Sequence, residues 1–324
     1  MIDILQARLR IRTRILRTPL RRSEWLSAIA GCDVFLKLES LQPTGSFKIR
    51  GALNAAVSHV ERHGAAAPPI VTASAGNHGR ALAYAAESLR LRLTVYVPRD
   101  APRAKQDAIA RHGADLKPVA DYDEAERAAK RHAASGEAIY ISPYANADVI
   151  AGAGTIAVEI FEDLPEVAAI AVPIGGGGLA GGIGLVACAA EPRPEAPSPR
   201  PQIIGVEAAA STAFTSSLAA GRITAITPGP TLADGLAGNL DAGSITFELV
   251  RDTVRRVVTV TEDELAGAMR GLAAHDHLIA EGAGAAAVAA IQAGKCDADR
   301  GPIVAILSGA NVDLDRLVQV LSRG

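Results

Sequence analysis

Short, continuously apolar runs bounded by turn residues recur along almost the whole chain, separated by alanine-rich amphipathic stretches. The runs lie at 34–38, 70–73, 93–97, 138–141, 168–174, 202–206, 256–260 and 303–307. The amphipathic stretches lie at 49–60, 79–89, 102–112, 123–134, 154–161, 179–190, 262–275 and 284–293. Runs this short and this apolar fit strands buried on both faces. Their alternation with helices predicts an α/β fold, with parallel sheets carrying helices on both sides. Thr261, three residues before Glu264, reads as a capping box opening one of these helices.

A chain of 324 residues with 49% hydrophobic content has material for two domains, or one large one, with an ample core. Its net charge of −2 gives no reason to expect nucleic acid or an anionic membrane as partner. Arg8, Arg10, Arg12, Arg14 and Arg17 alternate with Leu9, Ile11 and Ile15, which reads as the solvated face of a short element rather than a targeting signal. No run is long enough to span a bilayer. Cys32, Cys188 and Cys296 are scattered and form no CxxC, as expected of reduced thiols in a cytoplasmic protein. Five prolines between 191 and 201 predict a surface loop.

Four stretches carry chemistry. Lys48 follows the aromatic Phe47 at a loop-to-helix junction, where an amine held away from water loses its charge at modest cost and serves as nucleophile or base. A solvated first-turn lysine is the plain alternative. Ser74, Ala75, Gly76, Asn77 and His78 sit where a strand gives way to a helix; small residues and first-turn amides there suit a carboxylate, although Ser74 or Asn77 as a simple helix cap is an equal reading. Gly175, Gly176, Gly177 and Gly178 follow another strand and form an anion nest suited to phosphate. Gly176, Gly178 and Gly181 also match GxGxxG, which keeps a dinucleotide site open with Glu207 as its ribose acid; a Walker A loop is excluded by the missing Gly-Lys-Ser/Thr. Ser308 ends the last strand, and Asp234-Gly235 and Glu281-Gly282 are further polar-glycine pairs. A lysine behind an aromatic, a carboxylate nest, a phosphate cup and a strand-end serine together suit a phosphorylated aromatic aldehyde held as a Schiff base beside an amino acid.

The motifs Ser46–Gly51, Ser74–His78, Gly175–Gly178 and Ser308–Asn311, in this order, resemble those of the fold type II (tryptophan synthase β-like) pyridoxal 5'-phosphate enzymes, most closely the serine/threonine dehydratase (ammonia-lyase) and serine racemase branch. The resemblance runs from about Arg17 to Asp313. It implies a large cofactor domain from 1–68 and 147–324, and a small domain, 69–146, that closes over the substrate. It further implies a Schiff base on Lys48, Phe47 beside the cofactor ring, Asn77 on the ring hydroxyl, the four glycines on the phosphate and Ser308 at the pyridine nitrogen. Gly235 and Glu281 join the cofactor set, and the Ser74–His78 loop takes the substrate carboxylate. The expected activity is α,β-elimination from a β-hydroxy amino acid such as L-threonine or L-serine, in a homodimer.

Departures from the family pattern adjust this expectation. Serine racemase has a serine where this chain has Ala75, and alanine cannot move a proton, so dehydration is preferred to racemisation. The second carboxylate of the family's cation site is missing, since position 213 is alanine, and no metal is expected. Ala153 stands where relatives carry glutamine, which leaves room for bulkier substrates of the phenylserine or hydroxyectoine-derived kind. With no regulatory segment after the catalytic part, feedback control is not expected. A β-replacement synthase, a non-catalytic cofactor-binding protein and an NAD(P)-binding oxidoreductase are the remaining alternatives.

Overall fold

Each expected apolar run forms a strand, and the strands sort into two sheets. The computed structural model describes residues 2–192, 200–296 and 301–322. The strands are β1 (Leu20–Arg22), β2 (Val34–Lys37), β3 (Ile70–Ala73), β4 (Leu93–Pro98), β5 (Asp115–Val119), β6 (Ile139–Tyr140), β7 (Ala169–Pro173), β8 (Gln202–Ala208), β9 (Arg256–Val260) and β10 (Ile303–Ile306). The helices through the first half are α1 (Ile4–Ile11), α2 (Glu24–Ala30), α3 (Lys48–His63), α4 (Asn77–Leu89), α5 (Arg103–Ala110), α6 (Tyr122–Ala134) and α7 (Ala147–Asp163). Those of the second half are α8 (Gly178–Ala189), α9 (Ala213–Ala220), α10 (Ile245–Thr253), α11 (Glu262–Gly271), α12 (Gly282–Gln292) and α13 (Leu314–Leu321).

The chain divides into two compact units, one of Met1–Leu16 with Lys48–Ala153, the other of Arg17–Phe47 with Gly154–Gly324. In the first unit the sheet order is β5-β4-β3-β6, all parallel. Its core joins Ile70, Val95 and Val97 of the sheet to Ile49, Ala52 and Ala55 of α3 and Ala81, Leu82 and Ala86 of α4. Two glycines let α3 and α7 approach closely here. A Cβ on Gly51 would lie 2.6 Å from the Val149 carbonyl oxygen, and one on Gly152 would run into the Arg50 carbonyl.

In the second unit the order is β1-β2-β10-β7-β8-β9. Helix α12, alanine-rich and buried on almost every side, packs in its core with Val34, Leu36, Ile204, Val206 and Ala305. The Thr261–Glu264 capping box forms as expected, with both reciprocal bonds present.

The structure departs from the sequence expectations where strands lie at edges. β1 is antiparallel to β2 and carries two arginines in its three residues, so it lacks the apolar signature of a central strand. β5 pairs only with β4 and reads Asp-Leu-Lys-Pro-Val, an edge strand that its proline tolerates. Helix α7 starts seven residues before the expected 154, capped by Asn146, whose Oδ1 accepts from Asp148 and Val149 N–H at 2.9 and 3.1 Å. The helix expected over 262–275 ends at Gly271 and passes into a π-turn, Leu272–Asp276. The expected proline-rich loop at 191–201 falls, for 193–199, outside the described residues.

Candidate active site

In the second unit, the stretch leading into Lys48 is bonded to the stretch after β10. Gly45 N–H bonds back to the Gln42 carbonyl at 2.7 Å, closing a turn with Gly45 at φ +73°. Ala310 N–H donates to the Gly45 carbonyl at 2.9 Å, and Phe47 N–H to the Ser308 carbonyl at 3.0 Å. Asn311 Nδ2 donates to the Thr44 carbonyl at 2.9 Å. Two motifs more than 250 residues apart therefore form one two-stranded bridge, Ser46 opposite Gly309, and Lys48 follows Phe47 directly in the chain.

Ser308 is buried, and its hydroxyl donates to the Ala283 carbonyl at 3.4 Å, in the first turn of α12. Glu281 precedes that helix and donates its N–H to the Gly309 carbonyl at 3.1 Å. Phe47, Ser308 and Glu281 are thus brought into one neighbourhood. On the same sheet, Gly175–Gly178 links β7 to α8. A Cβ on Gly175 would meet the Leu236 Cα at 3.0 Å and the Gly235 carbonyl oxygen at 3.2 Å, which places Gly235 beside the loop. Gly177 has φ +84°, a left-handed conformation that favours glycine, and a Cβ there would lie 2.5 Å from the Phe214 ring. No side-chain hydrogen bond caps α8, and the amides and positive dipole end of a helix N-terminus suit an anion.

Glu207 is engaged with the start of a helix in this geometry. Its carboxylate accepts from Phe214 N–H at 2.7 Å, Thr215 N–H at 2.9 Å and the Thr215 hydroxyl at 2.7 Å, holding the start of α9. Burial pushes its carboxyl above the usual range, against the opposing pull of those three bonds. The dinucleotide reading loses its acidic residue.

In the first unit, Lys48 opens α3 half-buried, and its ammonium donates to the Pro143 carbonyl at 2.8 Å. Ser74 and Ala75 are buried at the end of β3, with Gly76 and Asn77 half-buried at the start of α4. Ser74 Oγ accepts from Gly76 N–H at 3.3 Å, but no side chain caps α4, so the cap reading of Ser74 and Asn77 gives way. The small residues are needed for packing as well: a Cβ on Gly79 would collide with the Ser74 carbonyl. His78 is 2% exposed, and neither ring nitrogen has a hydrogen-bond partner among the described residues. Burial, reinforced by the nearby Lys48 charge, pushes its pKa down to about 3, so the imidazole is neutral. The Pro143 carbonyl is the polar group that sequence reasoning missed; a backbone carbonyl carries no residue-type signal.

Each unit by itself carries groups that fit a phosphorylated pyridine aldehyde: the second a left-handed glycine cradle on an uncapped helix and a buried hydroxyl at a strand end, the first a half-buried lysine. The model of one family matches residues 11–309 of this chain: pyridoxal-phosphate dependent enzyme. The chain belongs to that family. Among its relatives, the L-threonine ammonia-lyase of Thermotoga maritima is 38% identical, the match covering 99% of this chain and 78% of the relative. The catabolic L-threonine dehydratase TdcB of Escherichia coli is 36% identical over 98% of this chain and 94% of its own length. Among solved structures, maize serine racemase superposes with a TM-score of 0.88 at 32% identity, covering 99% of this chain and 96% of that one. The fold is accordingly the two-sheet α/β fold type II architecture of these pyridoxal-phosphate dependent enzymes. Among the described residues no helix is long and apolar enough to cross a membrane.

Proposed function

We propose that the chain is a pyridoxal-phosphate dependent ammonia-lyase that converts a β-hydroxy amino acid, with L-threonine or L-serine as default substrate, into a 2-oxo acid and ammonia. The observation that carries this reading is Lys48, half-buried at the head of α3, beside a histidine kept neutral and with its amine on the Pro143 carbonyl. A lysine amine held in such a partly buried place can serve as nucleophile and base. Full-length relatives named for threonine deamination support the substrate class.

The bound cofactor supplies an electrophilic aldehyde and a conjugated ring that withdraws electrons from the substrate Cα. With the cofactor in place, the Lys48 amine would take up the Cα proton as an ammonium, and the β-hydroxyl, on receiving one proton, would leave as water. The α4 amides and the Ser74–His78 turn orient the substrate carboxylate. The loop Gly175–Gly178 would hold the phosphate, Ser308 would offer the ring nitrogen a neutral hydroxyl, and Phe47, Gly235, Glu281 and Asn77 would complete the cofactor contacts. Ala75 is buried and bears no proton-moving group, which favours elimination over racemisation.

The same reading makes the protein a cytoplasmic homodimer. The test is a 2-oxo acid and ammonia assay across serine, threonine, phenylserine and hydroxyaspartate in all stereoisomers, with Lys48→Ala as control. Turnover of threonine or serine, lost in Lys48→Ala, supports it. Product from none of the four, or a yellow and active Lys48→Ala, overturns it.

A further inference from the structure

The glycine loop that opens α8 is held by buried side chains of the second unit. A Cβ on Gly177 would lie 2.5 Å from Cζ of Phe214 and 3.0 Å from Cβ of Thr246, so the backbone there is pressed against both. Phe214 and Thr246 are fully buried. The Thr246 hydroxyl lies 2.8 Å from that of Ser244, the residue that caps α10. Thr246 is thereby fixed by its own helix start, and Phe214 has a different anchor.

That anchor is Glu207, near the end of β8. Its carboxylate takes the Phe214 N–H at 2.7 Å, the Thr215 N–H at 2.9 Å and the Thr215 hydroxyl at 2.7 Å. Phe214 and Thr215 are the second and third residues of α9, whose amides have no partner within the helix. Thr212, at the N-cap position, makes no side-chain cap bond, so a strand acid takes the place of the usual cap. Burying a carboxylate is costly unless its oxygens are bonded, and these three bonds supply that compensation. Only the Phe214 Cα separates the amide that Glu207 holds from the side chain that meets Gly177. Earlier in the same turn, the Ser211 hydroxyl accepts from Gly238 N–H at 3.1 Å, which ties this segment to the chain just beyond Gly235 and Leu236.

We propose that Glu207 is a positioning residue for the cofactor phosphate, acting through Phe214 on the left-handed turn at Gly177. The inference rests on the reading of Gly175–Gly178 as the phosphate loop. Four glycines in a row lose more conformational freedom on ordering than any other stretch of that length. Were the loop ordered only when the phosphate arrives, that loss would be subtracted from affinity. Phe214 and Thr246 order it beforehand, and Glu207 keeps Phe214 in place.

The experiment strips the full-length protein of cofactor and titrates it at neutral pH with pyridoxal 5'-phosphate and, separately, with pyridoxal, which lacks the phosphate. Glu207→Gln keeps the size but sets an amide NH2 against the Thr215 donors, and Phe214→Leu removes the ring. Each should weaken pyridoxal 5'-phosphate roughly tenfold, as for one lost bond to a charged group, while pyridoxal affinity stays near that of the parent. A role confined to folding would weaken the two ligands together. Thr215→Val, which removes one donor at constant shape, should lose less, and Thr215→Ser should keep the parent affinity; this pair serves should Glu207→Gln fold poorly. The double variant Glu207→Gln/Phe214→Leu should bind no more weakly than the weaker single variant, because both changes act through one contact. Losses that multiply in the double variant, equal losses for the two ligands, or folded variants with parent affinities overturn the proposal. A parent protein that binds pyridoxal as tightly as pyridoxal 5'-phosphate overturns instead the phosphate reading beneath it.

Discussion

The Lys37 ammonium donates to the Glu159 carboxylate at 2.6 Å and to the Thr18 carbonyl at 2.7 Å, in the core of the second unit. The lysine side chain has no exposure and the glutamate 8%. Thr18 in turn donates its hydroxyl to Glu39 at 2.5 Å, and Gln42 donates to the same carboxylate at 3.2 Å. Since the Gln42 carbonyl closes the turn at Gly45, the pair anchors the segment that leads to Lys48.

A buried pair of this kind gives little net stability compared with apolar residues, but halving it strands a charge. Lys37→Met alone should destabilise the protein by about 3–5 kcal/mol, and Glu159→Leu alone similarly. The double variant Lys37→Met/Glu159→Leu should recover most of that loss. Urea unfolding of the three variants checks this, and a double-variant loss equal to the sum of the two single losses would show that the charges are not coupled.

His78 makes stability depend on pH with a definite sign. Its pKa is near 3 in the folded protein against 6.5 in the open chain, so below pH 6.5 the unfolded state binds the extra proton. Stability is complete above pH 6.5 and declines by roughly 1.4 kcal/mol per unit as pH falls toward 3. His59 is shifted the same way, chiefly by burial, and adds to the slope. Denaturant unfolding at pH 7 and 5 should show the decline, and His78→Gln should flatten it to the part His59 supplies.

Gly177→Ala tests the phosphate cradle. The left-handed φ strains any side chain there, and the new methyl would press on Phe214 and Thr246. The expected cost is about 1–3 kcal/mol in stability. Pyridoxal 5'-phosphate affinity should fall at least roughly tenfold, the equivalent of one amide bond to a charged phosphate. Fluorescence titration of the cofactor-free protein measures it, with pyridoxal, which lacks the phosphate, expected to be far less affected.

How legible was this in the residues? The central strands were readable because both their faces are buried: Ile70–Ala73 and Ile303–Ile306 are wholly apolar or nearly so, and each is buried at every position. Leu20–Arg22 and Asp115–Val119 were not, because an edge strand needs apolar contact on fewer positions and tolerates Arg, Lys and Pro. Lys48 and the four glycines stood out through residue type and position after a strand. What joins them did not: the Phe47–Ser308 bond, the Pro143 acceptor and the Glu207 cap of α9 use main-chain atoms, which any residue can supply. The start of α7 was hidden by Gly152, which lies ahead of the expected start at 154 and whose place in the helix shows only in its close packing against the Arg50 backbone.

Ala75 sets the last test, on which reaction the site prefers. It lies 6% exposed at the end of β3, packed with Ile49 and Ile109, and offers no group that could return a proton to the substrate Cα. A hydroxyl introduced there is small enough to fit, though burying it without a partner costs about 1–3 kcal/mol. Ala75→Ser should therefore gain formation of D-serine from L-serine, read by chiral chromatography, while keeping 2-oxo acid production within roughly tenfold of the parent, about 1.4 kcal/mol in barrier. Equal D-serine formation by parent and variant would mean that position 75 does not decide between elimination and racemisation. Deuterium incorporation at Cα of recovered substrate separates the two cases further: a protein working from Lys48 alone exchanges with retention, whereas a base on the opposite face exchanges with inversion.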